Sequence, residues 1–213
     1  MKKLEIDILA VDYGGVLAHH YCEPYQSELS KILGVDDVTT KKLLSEKSEH
    51  GKAYRLDKIS KEEFWNKVKS LAQCKNNVDN DQLQLLWAKT YILDLRVYQL
   101  LQNIKEQTTI KICLYTNSDR LRMNYAIKIY GLESLFDVIF SSWENGVIKP
   151  EQSSFSKLKQ LFDLTSKPER IFYIDDRVST IEAAKNEGIY GYVYKDYESL
   201  SSFIYQNLPL KIY

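Results

Sequence analysis

The sequence predicts an α/β protein: a Rossmann-like parallel sheet flanked by helices, with a small helical unit inserted after the first strand. Three observations carry that reading. An apolar run over residues 6–11, broken only by Asp7, stops on Asp12 and a turn containing Gly14 and Gly15. From residue 97 onward, short apolar runs of strand length alternate with segments of helical spacing, the pattern of parallel strands joined by crossover helices. Between the two, residues 19–95 show helical periodicity and no convincing strand. The expected organisation is a core made of residues 1–18 and 96–213, with a helical insertion over 19–95.

In chain order, the insertion reads as helices over 25–33, 39–48, 61–72 and 79–89, bordered by loops around 18–24 and 91–95. Phe64, Val68 and Leu71 share one face of the third, and Ser60 with Glu63 forms a capping box at its start. The core resumes with a helix over 97–107 and a strand over 110–115 that ends in Thr116-Asn117-Ser118-Asp119. A helix over 120–130 follows, with Gly131 as its stop. A strand over 138–141, a loop over 143–149 and a helix over 154–162 come next. A strand over 170–174 ends on Asp175-Asp176, and Gly188 closes a helix over 180–186. A strand over 190–194 and a helix over 197–206 complete the pattern.

Composition narrows the function. Lysine plus arginine (29) balances aspartate plus glutamate (29), so nothing in the charge argues for nucleic acid or an anionic membrane as partner. No apolar run approaches the length that spans a bilayer. The N-terminus enters a strand pattern within a few residues, so no signal peptide is expected there. Cys22, Cys74 and Cys113 lie far apart with no C-x-x-C pair, which suits free thiols in a cytoplasmic protein.

Four polar clusters follow strands: Asp12, Thr116-Asn117, Lys149 and Asp175-Asp176. A parallel sheet brings the carboxyl ends of its strands to one edge, where ligand sites form. The set offers a carboxylate nucleophile, a hydroxyl donor, a fixed cation and further carboxylates. A hard divalent cation such as Mg2+ takes oxygen ligands, a few from protein and the rest from water and substrate phosphate. The inventory suits phosphoryl transfer to a carboxylate. By residue type alone, Lys149 reads equally as a surface lysine and Thr116 as a helix N-cap.

The order Asp12-Tyr13-Gly14-Gly15-Val16-Leu17, Leu114-Tyr115-Thr116-Asn117, Lys149-Pro150 and Ile174-Asp175-Asp176 resembles the haloacid dehalogenase (HAD) superfamily along essentially the whole chain. The helical insertion lies where its subclass I cap lies. The branch it looks most like holds sugar-1-phosphate phosphatases and the N-terminal phosphatase domain of soluble epoxide hydrolase. The resemblance implies Asp12 as nucleophile, forming an aspartyl-phosphate from a small phosphorylated metabolite. It implies that Thr116 and the Asn117 backbone N–H bind the phosphoryl oxygens and that Lys149 neutralises charge. It implies Mg2+ held by Asp12, the Gly14 carbonyl and Asp176, with Asp175 binding or orienting.

Two positions depart from the pattern. Many phosphatases of the superfamily carry a second aspartate, the leaving-group acid, where this chain has Gly14; His19 and His20 are candidate substitutes. Thr180 stands where many relatives have an acid or amide, and Arg177 follows the aspartate pair. Three functions are open: a Mg2+-dependent phosphatase, a dehalogenase-like hydrolase in which Asp12 attacks carbon without metal, and a non-catalytic binder of a phospho-ligand or protein. Tyr21, Tyr25, His50 and Tyr54 are the candidates in the insertion for selecting the substrate.

Overall fold

The computed structural model describes residues 3–20 and 23–210; Tyr21, Cys22 and the side chain of His20 lie outside what it describes. The elements run β1 Ile8–Asp12, β2 Ala18–His20, α1 Glu23–Leu33, α2 Asp37–Leu43, α3 Glu49–Arg55, α4 Lys61–Leu71, α5 Asn80–Lys89, β3 Tyr91–Leu93, α6 Leu95–Gln107 and β4 Lys111–Thr116. They continue with α7 Arg120–Tyr130, α8 Leu132–Leu135, β5 Val138–Ser141, α9 Ser142–Asn145, α10 Gln152–Leu161, β6 Ile171–Asp175, α11 Val178–Asn186, β7 Tyr190–Val193 and α12 Tyr197–Asn207.

Five strands form one sheet in the order β5-β4-β1-β6-β7, and every neighbouring pair is parallel. The strands ending at Asp12, Thr116 and Asp175 therefore lie side by side, with their carboxyl ends on one edge. Side-chain alternation divides the interior between the two faces. Leu9, Val11, Ile112, Leu114, Phe172 and Ile174 pack with α6, α7, α8 and α12. Ile8, Ala10, Cys113, Tyr115, Ile171 and Tyr173 pack with α10 and α11. β1 is buried along its whole length. Side chains such as Leu9 and Val11 contribute about 1.5–3 kcal/mol each by leaving water.

Helices α1–α5 have their own apolar centre, built on Leu29, Leu33, Phe64, Trp65, Leu83 and Trp87. Ser60 caps α4 through the expected reciprocal pair with Glu63. Gln84 joins this centre to the sheet domain: its Oε1 accepts from Tyr54 (2.9 Å) and Trp65 (2.8 Å), and its Nε2 donates to Asp119 Oδ1 (2.9 Å). Asp119 is also the N-cap of α7.

Three local expectations are corrected. The segments bordering the insertion are not plain loops: β2 and β3 pair antiparallel, His19 opposite Ile92, so a two-strand ribbon connects the helices to the sheet domain. The helix expected over 39–48 ends at Leu43, and residues 44–48 form a turn leading into α3. The chain breaks because Ser48 Oγ caps α3 by accepting from Gly51 N, while donating to the Ser45 carbonyl. Only glycine fits at 51, since a Cβ there would stand 2.0 Å from that carbonyl. The loop expected over 143–149 opens with the single turn α9, closed by Gly146 at positive φ.

Candidate active site

The sheet edge assembles the four clusters. Asp12 pairs in register with Tyr115, the residue before Thr116, and Val11 pairs with Ile174, the residue before Asp175. Lys149 arrives from the segment after α9 and is buried, not a surface lysine. Its Nζ lies 2.8 Å from Asp12 Oδ1 and 3.0 Å from Asp175 Oδ2. It also donates to the Tyr115 carbonyl (3.0 Å) and the Tyr173 hydroxyl (2.8 Å). Asn117 locks the lysine backbone, accepting from Lys149 N at 3.0 Å and donating to its carbonyl at 2.9 Å. A cation so buried keeps its charge only among partners of this kind.

Asp12 is fixed twice at one oxygen: Oδ1 also accepts from the Tyr13 backbone N–H at 2.7 Å. Burial pushes its carboxyl up to about 7, with Lys149 pulling the other way and Asp175 adding to the rise. Burial also raises Asp175, but Lys149 and Arg177 outweigh it and hold that carboxyl below its usual range. Both Asp175 oxygens are engaged. Oδ2 accepts from Lys149 and the Tyr173 hydroxyl, and Oδ1 from the Arg177 backbone N–H at 2.8 Å. Asp176 differs: much of the residue is exposed, and partial burial of its carboxyl together with the Asp175 charge raises it.

The carboxylates of Asp12, Asp175 and Asp176 offer oxygens within 4.8 Å of one another. Asp176 lies against the glycine turn so closely that a Cβ on Gly15, which has φ +90°, would stand 2.3 Å from Oδ2. This oxygen donor set in a glycine-lined cradle fits Mg2+. Thr180 is buried, and its hydroxyl has no hydrogen-bond partner among the described residues. Thr116 is buried too, but it is not the helix N-cap; its Oγ1 accepts from Ser118 N at 2.9 Å, leaving the hydroxyl proton to donate.

Asp12, Gly14, Gly15, Thr116, Asn117 and Asp176 line a cavity of about 600 Å³ between the sheet edge and the inserted helices. His19 lines it as well, paired with Asp94 (3.4 Å) and stacked on Tyr194. Of the candidates in the insertion, Tyr25, His50 and Tyr54 do not, and Tyr21 lies outside the described residues. His50 Nε2 lies 2.7 Å from the Leu43 carbonyl, Tyr54 stacks on Phe64, and Tyr25 packs on the helical centre. Aromatic residues with helical spacing went to packing.

The insertion reaches the cavity through other residues: Gln26, Lys41, Glu46, Arg55, Trp87 and Tyr91. Glu46, in the turn that breaks the expected helix, accepts from Asn117 Nδ2 at 3.0 Å and forms an ion pair with Arg177. Tyr91 of β3 covers Gly14. Arg122, three residues past the Asp119 cap, enters from the sheet domain and was foreshadowed only by the start of the helix over 120–130.

The haloacid dehalogenase-like hydrolase family model matches residues 6–188. The chain belongs to that family. It is thus a hydrolase with a HAD fold. Its fold is similar to that of a HAD family enzyme from Bacteroides thetaiotaomicron solved with magnesium and inorganic phosphate, at 20% identity and TM-score 0.76, covering 92% of this chain and 98% of that one. A predicted HAD-like family hydrolase from Porphyromonas gingivalis matches at 19% identity and TM-score 0.76, covering 97% and 100%. The L-2-haloacid dehalogenase from Xanthobacter autotrophicus, solved with chloropropionic acid covalently bound, matches at 13% and 0.65, covering 97% and 85%. No curated protein matches the sequence. Among the described residues, no helix is long and apolar enough to cross a membrane.

Proposed function

We propose that the protein is a Mg2+-dependent phosphatase that hydrolyses a small phosphorylated metabolite, a sugar phosphate being one candidate, through an aspartyl-phosphate. The observation that carries this is the Asp12 carboxylate, held at Oδ1 by Lys149 and the Tyr13 N–H while the residue faces the cavity. Asp12 attacks phosphorus, a new P–O bond forms, and the ester oxygen leaves with the bonding pair. Thr116 donates its hydroxyl to a phosphoryl oxygen, with the Asn117 backbone N–H beside it. Lys149 favours the ionised form of Asp12 against the effect of burial and balances the added negative charge; Asp175, itself held by Arg177 and Tyr173, keeps the lysine in place. Water then cleaves the acyl phosphate and restores Asp12.

Asp12, Asp176 and the Gly14 carbonyl would hold Mg2+, which supplies charge neutralisation for phosphoryl oxygens. The magnesium and phosphate bound by the Bacteroides enzyme support the same reading. The helical segment 19–95 serves as a cap over a core of residues 1–18 and 96–213, and its Glu46 contact to Asn117 and Arg177 closes it.

Phosphate release from p-nitrophenyl phosphate and a panel of phosphorylated metabolites, with Mg2+ and with chelator, tests this. Mg2+-dependent release is expected. Halide release from a 2-haloacid without metal would favour the dehalogenase chemistry instead. Ligand binding without any turnover would favour the non-catalytic reading.

A further inference from the structure

The cavity wall holds two buried arginines, Arg55 from the end of α3 and Arg122 from the first turn of α7. Both flank one indole: Arg122 stands 4.3 Å from the Trp87 ring centre and Arg55 stands 5.4 Å from it. Arg122 also lies 4.7 Å from the ring of Tyr91, which stands against Gly14. A continuous wall therefore runs from the nucleophile turn through Tyr91, Arg122 and Trp87 to Arg55.

Both cations are fixed in position, and of the two only Arg122 touches a carboxylate among the described residues. Arg55 donates to the Gly51 and Leu44 carbonyls, both at 2.9 Å, which fix it without neutralising it. Arg122 is tethered through Nε to Ser118 Oγ (2.9 Å) and Asp119 (3.3 Å). Its terminal nitrogens make no hydrogen bond to protein among the described residues. Asp119 divides itself between the ion pair with Arg122 through Oδ2 and Gln84 and the α7 backbone through Oδ1, and Glu46 is engaged by Arg177 and Asn117. Burial, and the charge of Arg122 after it, depress Arg55 to about 10 against the pull of Glu46 and Asp119. The amide Nε2 of Gln26, in the same cavity, is a buried donor with no partner among the described residues. Buried cations persist when something of opposite charge completes them.

We propose that Arg55 and Arg122, with Gln26, form a second anion-binding subsite, so that the substrate is a phosphomonoester bearing a second anionic group, a carboxylate or another phosphate. This rests on the phosphatase reading, with the transferred phosphoryl group at Asp12. The planar guanidinium forks suit either oxyanion. A neutral alcohol at the same place would bring no negative charge to the two guanidinium groups.

The test compares kcat/KM within matched pairs: a phosphorylated hydroxy acid against the corresponding phosphorylated alcohol, and a sugar bisphosphate against the monophosphate. Wild-type protein should favour the member with the extra anion by about tenfold or more in at least one pair, mostly through KM. The pair showing the preference tells carboxylate from phosphate. Arg122→Gln and Arg55→Gln should bring that ratio close to one, with circular dichroism as the check on folding. Turnover with no preference in either pair overturns the subsite, and so does a preference that survives in both folded variants. The wild-type comparison decides alone if the variants do not fold. Absence of phosphate release from every ester, p-nitrophenyl phosphate included, would instead be the failure of the phosphatase reading.

Discussion

The ring of Tyr91 occupies the space in front of Gly14: a Cβ on the glycine would lie 3.1 Å from Cε1 and 3.3 Å from the phenol oxygen. The ribbon strand β3 thus brings a hydroxyl to the place where many relatives extend a carboxylic acid. Burial raises the phenol above its ordinary range, so it stays a donor throughout neutral pH.

No carboxyl at position 14 is available to protonate a departing oxygen, a contribution worth about 10²–10⁴-fold. Activity should therefore fall steeply as leaving-group pKa rises across a series of esters similar in shape. Tyr91→Phe should steepen the dependence further, with the loss largest for alkyl phosphates. A flat dependence in wild-type protein would mean that another group donates the proton, and His19→Ala is then the next variant to measure.

Gly15→Ala should weaken Mg2+ binding. A Cβ there would collide with Asp176, and the left-handed backbone at φ +90° disfavours any side chain. The expected result is a Mg2+ activation curve shifted to higher concentration by about tenfold, in a protein destabilised by about 1–2 kcal/mol. An unchanged activation curve would remove Asp176 from the proposed metal site.

Glu46→Gln should loosen the cap. It removes the charge that pairs with Arg177 and weakens the contact to Asn117, the residue that locks Lys149. KM should rise several-fold, and limited proteolysis should cut the segment 19–95 faster. Unaltered KM and unaltered proteolysis would mean that the contact does not govern closure.

The pH dependence follows from Asp12. Its folded-state carboxyl is raised to about 7 from the ordinary 3.8, chiefly by burial, and Asp176 is raised as well. A raised acid binds its proton more tightly in the folded state, so metal-free stability falls as pH rises through this window. Protons also compete with Mg2+ for these oxygens. The increase in Tm on adding Mg2+ should accordingly be larger near pH 7.5 than near pH 5.5. An equal or reversed increase would contradict the assignment of Asp12 as a metal ligand.

The sheet and its motif residues were legible because each signal is local: buried strands five or six residues long, each ending on Asp12, Thr116 or Asp175. The β2–β3 ribbon was not, since each strand is three residues long and its partner lies some seventy residues away. Helical spacing could not show the break at Ser45–Ser48, which depends on the close approach of Gly51 to a carbonyl. The cavity wall escaped for a related reason. Tyr54 and Arg55 are neighbours, yet one faces the aromatic packing and the other the cavity. Nothing in single-sequence spacing separates those faces without the contacts between helices.

The covalent role of Asp12 is the central claim, and Asp12→Asn tests it most directly. Phosphate release with Mg2+ present should be measured for this variant and for wild-type protein on the same ester, with the circular dichroism and Tm of both recorded. Asparagine keeps the shape but has no nucleophilic carboxylate, so release should fall to background in a folded protein. Near-normal phosphate release from Asp12→Asn would contradict the aspartyl-phosphate mechanism.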